Sequence, residues 1–474
     1  MLEELTNILN QSGSEWAFAR EPYIIERDCE RGKDIDIWCE SGGLFSIMHL
    51  LFSNDWYLNG GRHLGKLGQP HTNLQLRFKK RRSNGPVLDV AVGSLRWWLI
   101  VYLDESIVRR NVLKNGEVPY LKGVALLSIL ITRVALRGEL NGERLLRARR
   151  ALESATTKER EQWLLYSIGL FGQHRAYRML MLIQSSGSRL SSHFKFSLII
   201  KALLSSVMGP RLLIAGAIRT GYRRIASIIH RQIGVIICLI GTDGTGKTTL
   251  AYEIRDALNG DGYKAKYLYM GRAKNNTKLI ENIRHLVLHY FQIFPKNVEP
   301  DSDSNSEREN LKKARVSIFL HNFAAVLYWS EYWCRQAIKL RIGCMNKTNF
   351  ILDRGAFDLL VMPHLWNNIR RLIKNIPIPD ALILCDAPTE EIYHRKQERN
   401  LADIKIHQSV YRNIATKLFY KIPVLHLITI EAFREFNSQL SKSIVLSVLF
   451  AKKGSLDIEI LQYYFSNFVN MKCN

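Results

Sequence analysis

The chain has 474 residues, 47% hydrophobic and 23% charged; this excludes a disordered chain and is too long for one ordinary domain. Its formal net charge of +24 is unevenly placed, because residues 109 to 234 hold 22 Lys/Arg against 6 Glu and no Asp. Such a field attracts polyanions, either nucleic acid or the anionic face of a bilayer. Cysteines 29, 39, 238, 334, 344, 385 and 473 form no CxxC pair or zinc-ligand spacing. They read as the reduced thiols of a cytosolic protein.

Residues 1–105 alternate helix and strand signals. A helix over Leu2–Asn10 leads to strands over Trp16–Arg20 and Lys33–Cys39. A helical run over Leu44–Phe52 follows, then short strands near Trp56–Asn59, Asn73–Phe78 and Val87–Val92, the last two separated by the turn signal Asn84-Gly85-Pro86. Met1-Leu-Glu-Glu lacks the basic and apolar regions of a secretory signal. Residues 106–232 read as almost wholly helical, with Leu, Ile and Ala at three- and four-residue spacing and Arg on the other faces. Breaks come at Ser185-Ser-Gly-Ser188 and Gly209-Pro210, and the expectation is a basic helical connector domain. Phe196 to Ile218 comes nearest to a membrane span, but Lys201, Gly209-Pro210 and Arg211 interrupt it.

Residues 233–474 repeat strand and helix as a parallel sheet covered on both faces requires. The apolar run Gly234–Ile240 is followed by Gly241-Thr-Asp-Gly-Thr-Gly-Lys-Thr-Thr249 and then the helical pattern Leu250–Leu258. Strand, glycine-rich turn and helix together frame a phosphate-binding loop. Gly241, Gly244 and Gly246 let the backbone aim N–H groups inward, the segment Thr242, Asp243 and Thr245 completes the cradle, and Thr249 opens the helix. Lys247 reaches the β/γ-phosphates of ATP and the Thr248 hydroxyl holds Mg²⁺. Further strands follow at Lys266–Met270, Phe350–Asp353, Ala381–Asp386 and Val424–Thr429, with a polar insertion over Glu299–Asn310.

Three further features separate a kinase from a simple ATPase. Asp353 ends a strand beside the loop, where it serves the metal or orients the acceptor, and Arg354 offers a planar fork for an anion. Asp243 projects toward an acceptor hydroxyl. Arg395 and Arg399 share a helix face after Asp386, where their charges close over transferring phosphates.

In these motifs, residues 235 to about 420 resemble the thymidylate kinase family of P-loop kinases. GTDGTGKTT matches the family's loop, DRGAFD its Asp-Arg motif, and DAPTEEIYHRKQER its acidic strand end with an arginine lid. The resemblance implies an α/β fold with a doubly wound parallel sheet, ATP and Mg²⁺ on Lys247 and Thr248, and Arg354 on the acceptor's phosphate. It further implies a lid of Arg395 and Arg399, with Asp243 facing the acceptor sugar. Gly355 departs from the family's aromatic residue, and the details look closer to a divergent branch of unassigned acceptors.

A second signal is Gly32-Lys-Asp34-Ile-Asp36-Ile-Trp38. Asp34 and Asp36 share one strand face, and Asp89 can join them from a neighbouring strand. Three convergent carboxylates make a site for two Mg²⁺ ions and a nucleoside triphosphate. Residues 14–92 thereby resemble the nucleotidyltransferase fold, with Phe18-Ala-Arg-Glu-Pro-Tyr23 where the family has its Gly-Ser turn. The domain is small, α+β, and active or vestigial.

The sequence thus points to a cytoplasmic, three-domain phosphotransferase, divided at 1–105, 106–232 and 233–474. It moves the γ-phosphate of ATP to a small acceptor, a nucleoside monophosphate or a phosphorylated sugar-like compound. One alternative is a genuine thymidylate kinase. Another is a nucleotide-gated binding protein docked peripherally on a membrane surface or other polyanion, with nucleic acid the less favoured partner. A homodimer is left open.

Overall fold

The computed structural model describes residues 2–21, 24–27, 33–64, 73–81, 86–97, 100–115, 118–137, 142–184, 192–205, 234–271, 318–319, 322–361, 365–373, 375, 378–397, 400–419, 421–429, 434–453 and 456–472. Two compact units emerge, one of residues 1–231 with 453–467 and one of residues 232–452 with 468–474. The helical region expected as a separate connector therefore belongs to the same unit as the amino-terminal sheet, and a short C-terminal stretch returns to that unit. No described helix is long and apolar enough to cross a membrane.

The first unit is built on a seven-stranded mixed sheet of order β3-β4-β5-β2-β1-β9-β8. In chain order these strands are β1 (Trp16–Phe18), β2 (Ile35–Cys39), β3 (Trp56–Leu64), β4 (Asn73–Lys80), β5 (Leu88–Val92), β8 (Val112–Asn115) and β9 (Val118–Leu121). A separate hairpin pairs β6 (Leu95–Trp97) with β7 (Ile100–Leu103). Strands β6 to β9 were not expected; β8 and β9 fall where the sequence reads as helical. Val112-Leu-Lys-Asn115 and Val118-Pro-Tyr-Leu121 are separated in the sequence only by Gly116-Glu117, a short glycine-bearing spacer whose turn signal the surrounding Leu and Arg periodicity masks.

Side-chain alternation decides what each face of β2 does. Ile35, Ile37 and Cys39 take one face, and Asp36 and Trp38 the other. Trp38 is buried in a core with Leu121, Trp163, Phe171, Met179 and Leu198, so the helices after residue 123 pack on that face. Its indole donates to the Gly93 carbonyl at 2.6 Å. The helix over 123–137 carries a π turn at Ser128–Arg133. Helices Thr157–Phe171, Gln173–Gln184 and Ser192–Ser205 complete the layer. The first of these opens with a capping box between Thr156 and Glu159.

The second unit holds a five-stranded sheet of order β11-β12-β10-β13-β14, comprising β10 (Ile236–Ile240), β11 (Ala265–Tyr269), β12 (Asn349–Asp353), β13 (Ala381–Asp386) and β14 (Val424–Ile428). Every neighbouring pair is parallel. Every residue of β10 and β13 is buried, as strands covered on both faces must be. The strands agree with the expected ones to within two residues at each end. Buried polar groups fix the sheet's starting edge: Asn349 accepts from the Val235 N–H at 3.0 Å and Asp380 from the Ile236 N–H at 2.7 Å. The expected insertion over 299–310 lies outside the described residues.

Candidate active site

Strand β10 is central and delivers the glycine loop to the carboxyl end of the sheet, where parallel α/β sheets bind ligands. Gly241, Gly244 and Gly246 all have positive φ, at 144°, 90° and 73°. At Gly241 a Cβ would run into the Cys385 carbonyl of the adjacent strand; only glycine lets the loop leave the sheet there. The Thr245 hydroxyl donates to the Thr242 carbonyl at 2.9 Å and tightens the turn. The loop then enters the helix Lys247–Gly260, with Gly246 at the cap and its unpaired first-turn N–H groups facing the loop.

Lys247 is buried, and its ammonium donates to the Thr242 carbonyl and, at 3.4 Å, to the Thr245 hydroxyl. Burial pushes its pKa down, opposed by the negative charge of nearby Asp358 and Asp353. Thr248 and Thr249 are exposed on the first turn. The Thr248 hydroxyl donates to Asp353 Oδ2 at 2.5 Å, across from the end of β12.

Asp353 is fully buried. Its Oδ2 also accepts from the Tyr267 hydroxyl at 3.0 Å, while its Oδ1 has no hydrogen-bond partner among the described residues. A buried carboxylate oxygen without a donor is costly unless a ligand meets it. Tyr267 lies on β11 and stacks on Tyr252 with ring centroids 4.3 Å apart. Burial first, and then Asp353, push the Tyr267 phenol up, so it stays a proton donor. Sequence reading missed this tyrosine, although the alternation of Tyr267 and Tyr269 along one strand face was available.

Arg354 has a left-handed backbone, with φ of 66°. Its guanidinium pairs with Asp243 at the loop and with Asp358 at 3.2 Å, and lies 5.9 Å from the Tyr269 ring centre. Asp358, also buried, accepts from the Tyr411 hydroxyl at 2.7 Å. The structure therefore brings Asp243, Lys247, Thr248, Asp353 and Arg354 together, and adds Asp358 and Tyr411. Gly355 has a steric reason as well: a Cβ there would stand 2.9 Å from Cys238 Sγ.

Arg395 is not poised over the loop's interior as the lid reading expects. It donates to the carbonyls of Gly244 at 3.3 Å and Thr429 at 3.0 Å, and pairs with Glu391. Its neighbour Lys396 lies closer to Lys247, whose pKa its charge helps depress. Arg399 lies outside the described residues. Asp386 is a hub, not a phosphate contact. Its carboxylate accepts from Gln408 at 2.8 Å, Arg412 at 2.7 Å and His426 at 3.2 Å. Burial alone would raise its pKa, but those three bonds bring it down to about 2. The hub ties the helix Leu401–Phe419 and β14 to the strand that backs the loop.

In the first unit, β2 and β5 run parallel with Asp36 directly opposite Asp89, so the expected acids do meet. They do not form the expected metal site. Arg77 bridges Asp34 at 3.2 Å and Asp89 at 2.8 Å, while Arg20 at 3.1 Å and Arg133 at 3.6 Å engage Asp36. Guanidinium groups stand where cations would have to enter. Burial and the neighbouring Asp89 and Asp36 push the Asp34 carboxyl up, against the pull of Arg77. Among the described residues no group of three or more His, Cys, Asp or Glu is placed to hold a metal ion.

No protein-family model matches the chain. No curated protein matches it. Among solved structures, the chain is similar to a thymidylate kinase from Candida albicans, with 14% identity and a TM-score of 0.32 over 46% of this chain and 94% of that one. At that level the functional reading rests on the residues described above.

Proposed function

We propose that the second unit is an ATP-dependent phosphotransferase of the P-loop kinase type. The observation that carries the reading is the pairing of the Thr248 hydroxyl with Asp353 beside a glycine loop closed around Lys247. Loop amides and the helix N-terminus bind the phosphates, and Lys247 exchanges the Thr242 carbonyl for the β/γ-phosphate oxygens.

Magnesium fits this donor set, because Asp353 Oδ1 is buried without a partner next to a hydroxyl that P-loop enzymes use as a ligand. A single acid and a threonine suit a cation that keeps several waters and shares phosphate oxygens. When bound, the ion supplies charge neutralisation for the transferring group.

The acceptor side is Arg354, Asp243 and Tyr269. A phosphorylated acceptor, either a nucleoside monophosphate or a sugar-like compound, exchanges with Asp243 for the Arg354 fork. Asp243, so released, accepts a hydrogen bond from a hydroxyl of the acceptor and helps orient it. Arg395 can act as a lid only by leaving the Gly244 carbonyl. No transfer step is assigned to the first unit.

The test is a thermal melt of the full chain with ATP and Mg²⁺, followed by coupled ADP release over a panel of nucleoside monophosphates and sugar phosphates. A ligand-dependent rise in melting temperature that Lys247→Ala abolishes supports the reading. If the parent melts at the same temperature with and without the nucleotide, the reading fails.

A further inference from the structure

The helices Gln173–Gln184 and Ser192–Ser205 of the first unit share one core and, among the described residues, leave the faces away from it uncovered. Met179, Ile183, Phe194 and Leu198 are buried in the same cluster. Arg175 Nε donates to Ser197 Oγ at 3.2 Å, and the Arg178 guanidinium lies 4.8 Å over the Phe194 ring, so the helices are fastened side by side. On the far side of each, two large apolar side chains stand a helical turn apart. These are Tyr177 with Met181, 66% exposed, and Phe196, 64% exposed, with Ile200. An exposed apolar pair on each of two adjoining helices is unusual for a surface meant only for water.

Along these two helices the charge has one sign. From residue 162 to residue 242 the chain contains no Asp or Glu, while Arg175, Arg178, Lys195 and Lys201 lie on or beside these two helices. Cations flanking aliphatic and aromatic side chains match the headgroup–acyl boundary of an anionic bilayer, which takes both. Nucleic acid would use the cations and leave Met181 and Ile200 in water. We propose that the outward faces of these two helices dock the first unit on an anionic lipid surface, lying in its plane without crossing it.

Sedimentation of the full chain with phosphatidylcholine vesicles, with and without phosphatidylglycerol, tests this. The expected result is binding only when the anionic lipid is present, weakening as salt rises. M181S with F196S, and separately Lys195→Gln with Lys201→Gln, should each lower the partition coefficient at least about fivefold. The melting curve and the ATP-induced shift should stay unchanged. Should either pair unfold the chain, Tyr177→Ser alone gives the same reading with less disturbance. Three outcomes overturn the proposal: no binding to anionic vesicles, equal binding to both vesicle types, or variants that bind like the parent. Preferential capture by single-stranded RNA in competition with the vesicles would assign the face to nucleic acid instead.

Discussion

Both units carry aspartate on a strand with a parallel neighbour, yet the two sets have opposite surroundings. Asp353 accepts from two neutral hydroxyls, Thr248 and Tyr267, and among the described residues keeps one buried oxygen without a donor. Asp34, Asp36 and Asp89 are met by Arg77, Arg20 and Arg133. A hydroxyl fixes a carboxylate in place and leaves its charge for an incoming cation; a guanidinium cancels that charge. On the proposed function, the same residue type serves a ligand in one unit, while in the other it pairs with arginines.

That contrast breaks most visibly at the loop. Lys247→Ala should lower ADP release by about a hundredfold or more, measured at saturating acceptor, with little change in the melting point of the ligand-free chain. Asp353→Asn should cost a similar factor of about a hundred and shift the magnesium titration to higher concentration. A variant that keeps the parent's magnesium dependence would remove Asp353 from the metal.

In the first unit the expected signs reverse. Asp36→Ala strips Arg20 and Arg133 of a partner and should lower stability by about 2 kcal/mol, read by denaturant melts, with ADP release unchanged. Manganese paramagnetic broadening should leave resonances near Asp34 and Asp89 untouched. Asp386 supplies a pH test of its own. Its folded pKa, near 2, lies below the ordinary 3.8, so its contribution is complete above about pH 4 and is lost as pH falls toward 2. The pKa difference corresponds to about 2 kcal/mol, which Asp386→Asn should remove from the acid limb of the stability curve. Arg395→Ala should have the smallest effect, a loss of roughly threefold in ADP release, because one exposed contact to a loop carbonyl contributes about 1 kcal/mol or less.

The loop was legible in the sequence because its chemistry is local. Nine consecutive residues carry the glycines, the lysine and the hydroxyl, and the strand and helix that frame them are adjacent in the chain. Asp34, Asp36 and Asp89 were legible as neighbours for a similar reason, since strand alternation alone puts two of them on one face. Their partners were not. Arg77 and Arg133 arrive from a separate strand and from the helix over 123–137, and nothing in their own surroundings marks them as counter-ions. Tyr267, Gln408, Arg412 and His426 escaped in the same way, because each gains its meaning only when the sheet assembles. The strands β8 and β9 were lost to a different cause: a short hairpin lies beside a long helical pattern whose composition dominates any window that includes both.

The perch of the Lys247 ammonium on the Thr242 carbonyl has a kinetic consequence. With its own cation bridging the bend, the loop is held in shape by this contact, and on the proposed function a triphosphate need only exchange one oxygen partner for another. Capture should then proceed as a single exponential whose rate climbs linearly with nucleotide concentration, with no slow ordering phase to cap it.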